Sequence, residues 1–274
     1  MRFRRAIAGL VLGAALPSAA LAENGRMVEI GYEITFAGFS GFRIDLAARF
    51  NGASYDVQTR TFKEGLLRAL TIRYEGRNRA WGGFTPQGSL PSGGSLSIVV
   101  GDKPRTWLAQ YDTEGGVTQT HTPDWNPPPH KIISDDQMRG SLDPLSAGLA
   151  AGLAGDNVCE KVVPSNDGKR RIDVLLKQVG SETPAAAGVP QARGDLLICE
   201  IYTRRVAGEF FDAPKEAESK REQPMKIWFA RLDDSQIRYP VKLEAQTGFG
   251  TIRGRTLFFR ERPLTDPEKA EMLR

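Results

Sequence analysis

The residues in this chain best able to do covalent chemistry are Cys159 and Cys199, its only two cysteines. Two thiols can form a structural disulfide, a redox couple or part of a metal site. A redox helix needs Cys-x-x-Cys, whereas these two are about 40 residues apart, and a pair of sulfurs with no nearby histidine is a poor zinc set. The pattern therefore predicts a structural disulfide, which requires an oxidising compartment. Closing a loop of that length stabilises by roughly 4 kcal/mol in the chain-entropy account.

The other reactive residue types form no recognisable constellation. The two histidines, His121 and His130, border a proline-rich stretch with Asp124 between them, and their spacing matches no metal-ligand or acid-base motif. Asp135-Asp136 and Asp233-Asp234 are paired carboxylates. Adjacent residues on a strand face opposite ways, so neither pair can straddle a glycosidic bond by itself. Turn chemistry accounts for the second pair, and the first precedes a helix. Gly38-Phe39-Ser40-Gly41 lacks the second glycine of a nucleophile elbow at the right place and runs on into strand-like sequence. Gly248-Phe249-Gly250 with Gly254 has the wrong final spacing for a dinucleotide fingerprint and opens no helix. No catalytic residue, metal ligand or cofactor site is assigned. Trp81, Phe84, Trp107, Tyr111, Trp228, Phe229, Phe258 and Phe259 fall in or beside predicted strands. They are read first as core, and secondly as the lining of an apolar groove able to take an acyl chain if a curled sheet fails to close.

The elements that would position these residues are mostly strands. Ile30, Tyr32, Ile34 and Phe36 alternate with polar or small residues, as do Leu70, Ile72 and Tyr74, and Ile172, Val174 and Leu176. Period-two alternation marks strands with one buried and one solvated face. Similar runs recur near 42–50, 53–62, 95–101, 105–112, 195–206, 225–232, 237–246 and 250–260. Asn51-Gly52, Asp167-Gly168 and Asp233-Asp234-Ser235 are placed as hairpin turns. About a dozen strands with close turns predict an all-β fold, a curled or spiral antiparallel barrel-like meander.

One segment departs from this pattern. Asp143-Pro144 is a helix start, with Asp143 as the N-cap and proline at the first helical position. Leu142, Leu145, Leu149 and Leu153 then recur at helical spacing, which predicts one short helix near 143–153. Leu145 and Leu149 form its packing face. Gly148 and Gly152 allow close approach, and a helix of about 12 residues reads as a plug against the sheet. Thr122–His130, Thr183–Gly194 and Asp212–Pro224 are loops by composition, the last two long exposed connections. Asp266–Arg274 forms at most a frayed helical turn.

Residues 1–22 read as a cleavable secretory signal. Arg2, Arg4 and Arg5 precede an apolar run from Ala6 to Leu16, and Ala20-Leu21-Ala22 is a small-x-small cleavage site. That run is too short for a transmembrane anchor. The expectation is a periplasmic protein, with residues 23–274 forming a single β-rich domain. The whole chain carries +4, and subtracting the three leader arginines leaves about +1, which gives no electrostatic reason to bind nucleic acid.

Several landmarks occur together and in order. Tyr32-Glu33-Ile34 through Phe39-Ser40-Gly41 is followed by Asp143-Pro144-Leu145-Ser146-Ala147 and Asp167-Gly168-Lys169-Arg170. Cys199-Glu200-Ile201-Tyr202, Val206-Ala207-Gly208, Ile227-Trp228-Phe229-Ala230, Pro240-Val241-Lys242-Leu243 and Gly248-Phe249-Gly250 follow. In this order they resemble the exported bacterial family catalogued as domain of unknown function 3108. The resemblance implies a periplasmic, largely β protein and supplies no catalytic residues. The functional reading is a non-enzymatic protein that supports the cell envelope by binding a lipid or other amphiphile, or an envelope protein. The alternative is a hydrolase of cell-wall glycan or lipid that draws carboxylates from separate strands.

Overall fold

The structure, a computed structural model, describes residues 25–69, 73–85, 88–124, 131–208, 224–234, 237–248 and 250–272. The predicted leader, His130 and nearly all of the Asp212–Pro224 stretch lie outside the described residues, as do Leu70 and Ile72 of the strand predicted around Leu70–Tyr74.

Thirteen antiparallel strands form one sheet among the described residues. They are β1 (Arg26–Phe36), β2 (Phe39–Asn51), β3 (Ser54–Lys63), β4 (Tyr74–Thr85), β5 (Gly88–Val100), β6 (Lys103–Tyr111) and β7 (Val117–Thr122), then β8 (Val162–Asn166), β9 (Arg170–Glu182), β10 (Arg193–Gly208), β11 (Met225–Arg231), β12 (Tyr239–Thr247) and β13 (Gly250–Pro263). The spatial order β7-β6-β5-β4-β3-β2-β1-β13-β12-β11-β10-β9-β8 makes two meanders that run outward from the β1–β13 pair. In that pair Arg26 lies opposite Pro263 and Phe36 opposite Ile252.

The sheet is curled but not closed, because β7 and β8 are its two edges. The chain between them bridges the seam. Gly140 N–H donates to Gly115 O on the β6–β7 turn, and Leu142 N–H donates to Pro164 O on β8. Asn166 N–H returns a bond to Leu142 O, which makes a parallel bridge between Leu142 and Ser165. Further along the seam, Gly168 in the β8–β9 turn packs on Trp107 of β6. Its φ is +89°, and a Cβ there would lie 2.5 Å from the indole.

Four short α-helices accompany the sheet among the described residues: α1 (Asp135–Met138), α2 (Pro144–Leu153), α3 (Pro184–Ala187) and α4 (Asp266–Met272). The helix predicted near 143–153 is α2, and the other three exceed the single helix read from the sequence. Helix α2 lies inside the curl, touching β3, β4 and β5 on one side and β8 on the other. A row made mostly of small residues makes room for it. Ala48, Val57, Ala80, Gly94 and Ala109 occupy directly opposed positions on β2 to β6, so they share one face. A Cβ on Gly94 would meet the Asp143 side chain at 2.9 Å.

The helix is buried on two sides. Leu145, Leu149 and Leu153 pack against a cluster that includes Val28, Ile30, Phe50, Tyr55, Tyr239 and Val241. Ala147 and Ala151 face a second cluster containing Val158, Val163, Leu176, Phe229 and both cysteines. Leu142 departs from the predicted stripe: it precedes the cap, pairs with β8 and packs with the second cluster. The Thr183–Gly194 stretch also differs from an exposed connection. Thr183 Oγ1 caps α3, Gly188 ends it in the left-handed region, and Val189 is buried in the main cluster.

Two glycines that look alike in sequence differ in three dimensions. Gly152 presses on the backbone after β11, where a Cβ would lie 2.5 Å from Arg238 O, whereas Gly148 faces open space. Gly152→Ala should lose about 1–3 kcal/mol of stability through overpacking. Gly148→Ala should gain about 0.5–1 kcal/mol from helix propensity. Thermal or urea melts of the two variants check this, and equal effects would contradict the close approach. Cys199→Ser should lower the melting temperature of the oxidised protein by the equivalent of about 2–4 kcal/mol, and an unchanged melt would remove the disulfide from the account.

Candidate functional site: the open end of the concave face

The disulfide, cap and packing residues singled out in the sequence all sit around α2. Cys159 and Cys199 are bonded, with Cα atoms 5.4 Å apart, and tie the 3-10 segment Gly155–Glu160 to β10. Asp143 Oδ1 accepts from the N–H groups of Leu145 and Ser146, each at 3.0 Å. Its Oδ2 is buried and accepts no hydrogen bond from the described residues. Beside it, Tyr55 Oη and Ser146 Oγ are 2.8 Å apart and buried.

The carboxylates are held by basic or backbone groups. Asp56 is bonded by Arg79, Asp173 by Arg171 and Arg204, and Asp156 by Arg231 and Arg238. Hydrogen bonds from Arg238 hold the Asp156 carboxyl below the usual carboxylate range, against a smaller opposing effect of burial. Asp233 lies, as expected for the turn Asp233-Asp234-Ser235, in the connection between the paired strands β11 and β12. It is buried, is bonded by Arg26 at the start of β1, and accepts from Tyr239 Oη at 2.9 Å. Its polarity suited an exposed turn, but a partner more than 200 residues away in sequence draws it inside. Asp135 and Asp136 are exposed in the first turn of α1, where Ser134 and Gln137 form a capping box.

The aromatic residues do not line a common groove. Phe84 packs on Phe50 and Tyr55, Phe259 on Tyr239, and Phe229 with the disulfide. Trp228 is buried, donating to Glu182 at 2.6 Å, and Lys242 lies over its ring. Trp81 covers Gly93, while Phe258 covers Gly31 beneath Arg43 and Arg260. Cross-strand glycines thus draw Trp81 and Phe258 flat onto the sheet.

The concave face is lined instead by rows that interleave aliphatic residues with aromatic, small and polar ones. Ile30, Leu46, Thr59, Asn78, Leu96 and Trp107 form a continuous row of opposed positions across β1 to β6. The next row runs Tyr32, Ile44, Thr61, Gly76, Ile98 and Arg105. A third connects Phe42, Ile34, Gly254, Leu243, Ile227 and Cys199, crossing from β2 through β1 and β13 to β10. Ile30 and Cys199 belong to the two buried clusters, so these rows line the inside of the curl. Beyond the helix their members are only half-buried: Ile34, Phe42, Ile44, Leu96, Ile98, Ile227 and Leu243. At the same end, the β1–β2 turn presents Phe36 and Phe39, 40% and 62% exposed. Period-two alternation predicts these inward positions, but not that the helix would cover only part of them.

One recess adjoins this face, and a second lies against the opposite face of the sheet, where Glu33, Arg255 and Lys242 alternate with the inward row. The first, about 250 Å³, is lined by Leu96, Ile98 and Trp107, with Arg105 and, across the seam, Lys169 and Arg170. The second, about 530 Å³, lies between the Ala187–Val189 segment and the strands carrying Glu33, Lys242 and Arg255. Its charges are internally matched: Arg255 with Glu33 at 2.7 Å, Arg253 with Glu244 at 3.3 Å and Lys242 with Glu182 at 3.8 Å. His121 lies on β7 at the first recess, and burial pushes its imidazole below the usual value. Among the described residues no group of three or more His, Cys, Asp or Glu side chains could hold a metal ion, and no helix is long and apolar enough to cross a membrane.

Fold and face together define an open, β-barrel-like antiparallel sheet wound around one internal helix. The chain belongs to the family described as protein of unknown function DUF3108, whose model matches residues 29–256. It is also similar to a β-barrel-like protein of domain of unknown function DUF1849 from Brucella abortus, at 12% identity and a TM-score of 0.45. That match covers 86% of this chain and 97% of the other. No curated protein matches.

The Asp143 cap carries a pH signature. Burial pushes its carboxyl above the usual value, against the opposing hydrogen bonds from Ser146 and Leu145. The folded state therefore holds the proton more tightly than the unfolded chain. Stability from this group is present at acid pH and lost as pH rises from about 4 through the folded value. Asparagine caps as well as aspartate without the charge. Asp143→Asn should therefore be at least as stable as the parent at pH 7.5, with its relative advantage gone at pH 4. Asp143→Ala should lose about 0.5–2 kcal/mol at both. Melts at the two pH values decide, and an Asn variant equally impaired at both would contradict a desolvated carboxyl.

Proposed function

We propose that this protein is exported, loses residues 1–22 and acts in the cell envelope as a non-catalytic binding protein for an amphiphile. The observation that carries the reading is the half-buried aliphatic surface beyond α2, where Ile34, Ile44, Ile98 and Leu243 line the inside of an open curl. Each methylene moved from water onto such a surface contributes about 0.8 kcal/mol, so an acyl chain of modest length supplies useful affinity. The disulfide supports an oxidising compartment, as does the signal-like sequence of residues 1–22. Against the hydrolase alternative, Asp56, Asp143, Asp156, Asp173 and Asp233 are each engaged in caps or arginine pairs that hold elements together. Binding of an envelope protein remains the competing outcome of the test.

Native mass spectrometry of the protein purified from its own envelope fraction, followed by organic extraction, tests this reading. A co-purifying amphiphile released by solvent is the expected result. Ile44→Asp should abolish it while moving the melting temperature by no more than a few degrees, since Ile44 is only half-buried. A bare polypeptide that also takes up no added amphiphile would overturn the reading, and crosslinking to an envelope protein would then replace it.

A further inference from the structure

The 250 Å³ recess at the seam differs from the rest of the concave face in its charge. Its floor is Leu96, Ile98 and Trp107, continuous with the aliphatic rows. Arg105 stands directly opposite Ile98 in the β5–β6 register, so it shares the inner face with it. It is a cation placed among half-buried aliphatic residues. Arg105 has no ionic or hydrogen-bonding partner among the described residues. Across the seam the β8–β9 turn brings Lys169 and Arg170, whose backbone N–H groups are held by Asp167 Oδ1 at 3.1 and 2.9 Å. Arg170 is also paired with Asp167 through its guanidinium, so its charge is partly offset. With Arg170 paired to Asp167, Arg105 is the lining cation that has no carboxylate beside it among the described residues.

The turn is fixed in place. Gly168 rests on the indole of Trp107, Asn166 Oδ1 accepts from Gly168 N–H at 2.9 Å, and Trp107 Nε1 donates to Gln119 at 3.1 Å. The cations from β6 and from the β8–β9 turn are therefore presented on a framework that already joins the two edges of the sheet. The larger recess offers no comparable cation, because each of its cations has a carboxylate beside it.

We propose that this recess holds the anionic headgroup of the amphiphile, with Arg105 as its principal contact and the acyl chain running along Leu96 and Ile98 onto the rows beyond. The assignment rests on the amphiphile reading above and adds the chemical class: a chain that ends in one carboxylate or phosphate, in preference to a neutral or zwitterionic head. A guanidinium suits both oxyanions, because its planar fork can donate two parallel hydrogen bonds to either.

The test is calorimetric titration of the purified full chain with decanoate, decyl phosphate and decanol, each below its critical micelle concentration. The parent protein should bind one or both anions about tenfold more tightly than decanol, and whichever anion binds more tightly identifies the headgroup. Arg105→Gln should remove most of that preference while leaving decanol affinity within about twofold, and Arg105→Lys should restore part of it. Equal binding of all three by the parent would overturn the headgroup site and leave the amphiphile reading standing. So would an Arg105→Gln loss that extends equally to decanol. Failure of all three to bind would remove both. Arg105 is exposed, so its variants are expected to fold, and a melt of each confirms that affinity rather than stability is being read.

Discussion

The pairing of the first strand with the last is the constraint on which the rest of the structure depends. Residues Arg26–Phe36 lie antiparallel to Gly250–Pro263, and every other ladder is reached by walking outward from that pair along one meander or the other. Each remaining neighbour in the sheet follows its partner in sequence, so its closure is local, whereas this one joins segments more than 200 residues apart and carries a corresponding entropy cost. The start of β1 is anchored accordingly. Arg26 bonds Asp233 and Glu261 and lies 5.0 Å from the centre of the Phe50 ring. Burial alone would lower the Arg26 pKa, but Tyr239, Asp233 and Glu261 more than reverse this, so the guanidinium stays charged inside.

A thirteen-stranded sheet that does not close must cover its concave face in some other way. Helix α2 covers the lower part because it is apolar on two sides. Its leucines meet the first half of the sheet and its alanines meet the second, where the disulfide ties in the following turn. The small residues Ala48, Ala80, Gly94 and Ala109 set how deeply it can sit. The seam is bridged at Gly140–Leu142 by backbone bonds and at Gly168 by the Trp107 ring. The curl is thus held at two places along its open side.

Above the helix the inner face is only half-covered, and its margin carries Arg105, which has no partner among the described residues. A half-covered inner surface beside Arg105 is the physical basis for the binding role proposed above. It also separates the two recesses. The larger, on the opposite face, has its charges internally neutralised, while the smaller places Arg105 next to the inner rows.

Much of this architecture was legible in the sequence because it rests on local periodicity. Period-two alternation placed most strands, Asp143-Pro144 placed the helix start, and the absence of Cys-x-x-Cys or histidine ligands left a disulfide as the use for Cys159 and Cys199. Strands β7 and β8 were missed, since Val117–Thr122 and Val162–Asn166 are short edge strands with little apolar alternation, and of β4 only the start at Tyr74 was read, because Glu75–Thr85 is rich in glycine and arginine. The burial of Asp233 and Val189 was illegible for a different reason, since each is drawn in by residues far away in sequence. Trp81 and Phe258 read as groove or core residues, yet cross-strand glycines lay them flat on the sheet. The sequence by itself determined the all-β class, the internal helix and the side of each strand that would turn inward, because these follow from propensity and alternation. Only the tertiary structure decided that β1 pairs with β13, that α2 covers part of the concave face, and that Arg105 and the Lys169–Arg170 turn meet at the seam. Those outcomes depend on sheet curvature and on long-range pairing, which no local pattern encodes.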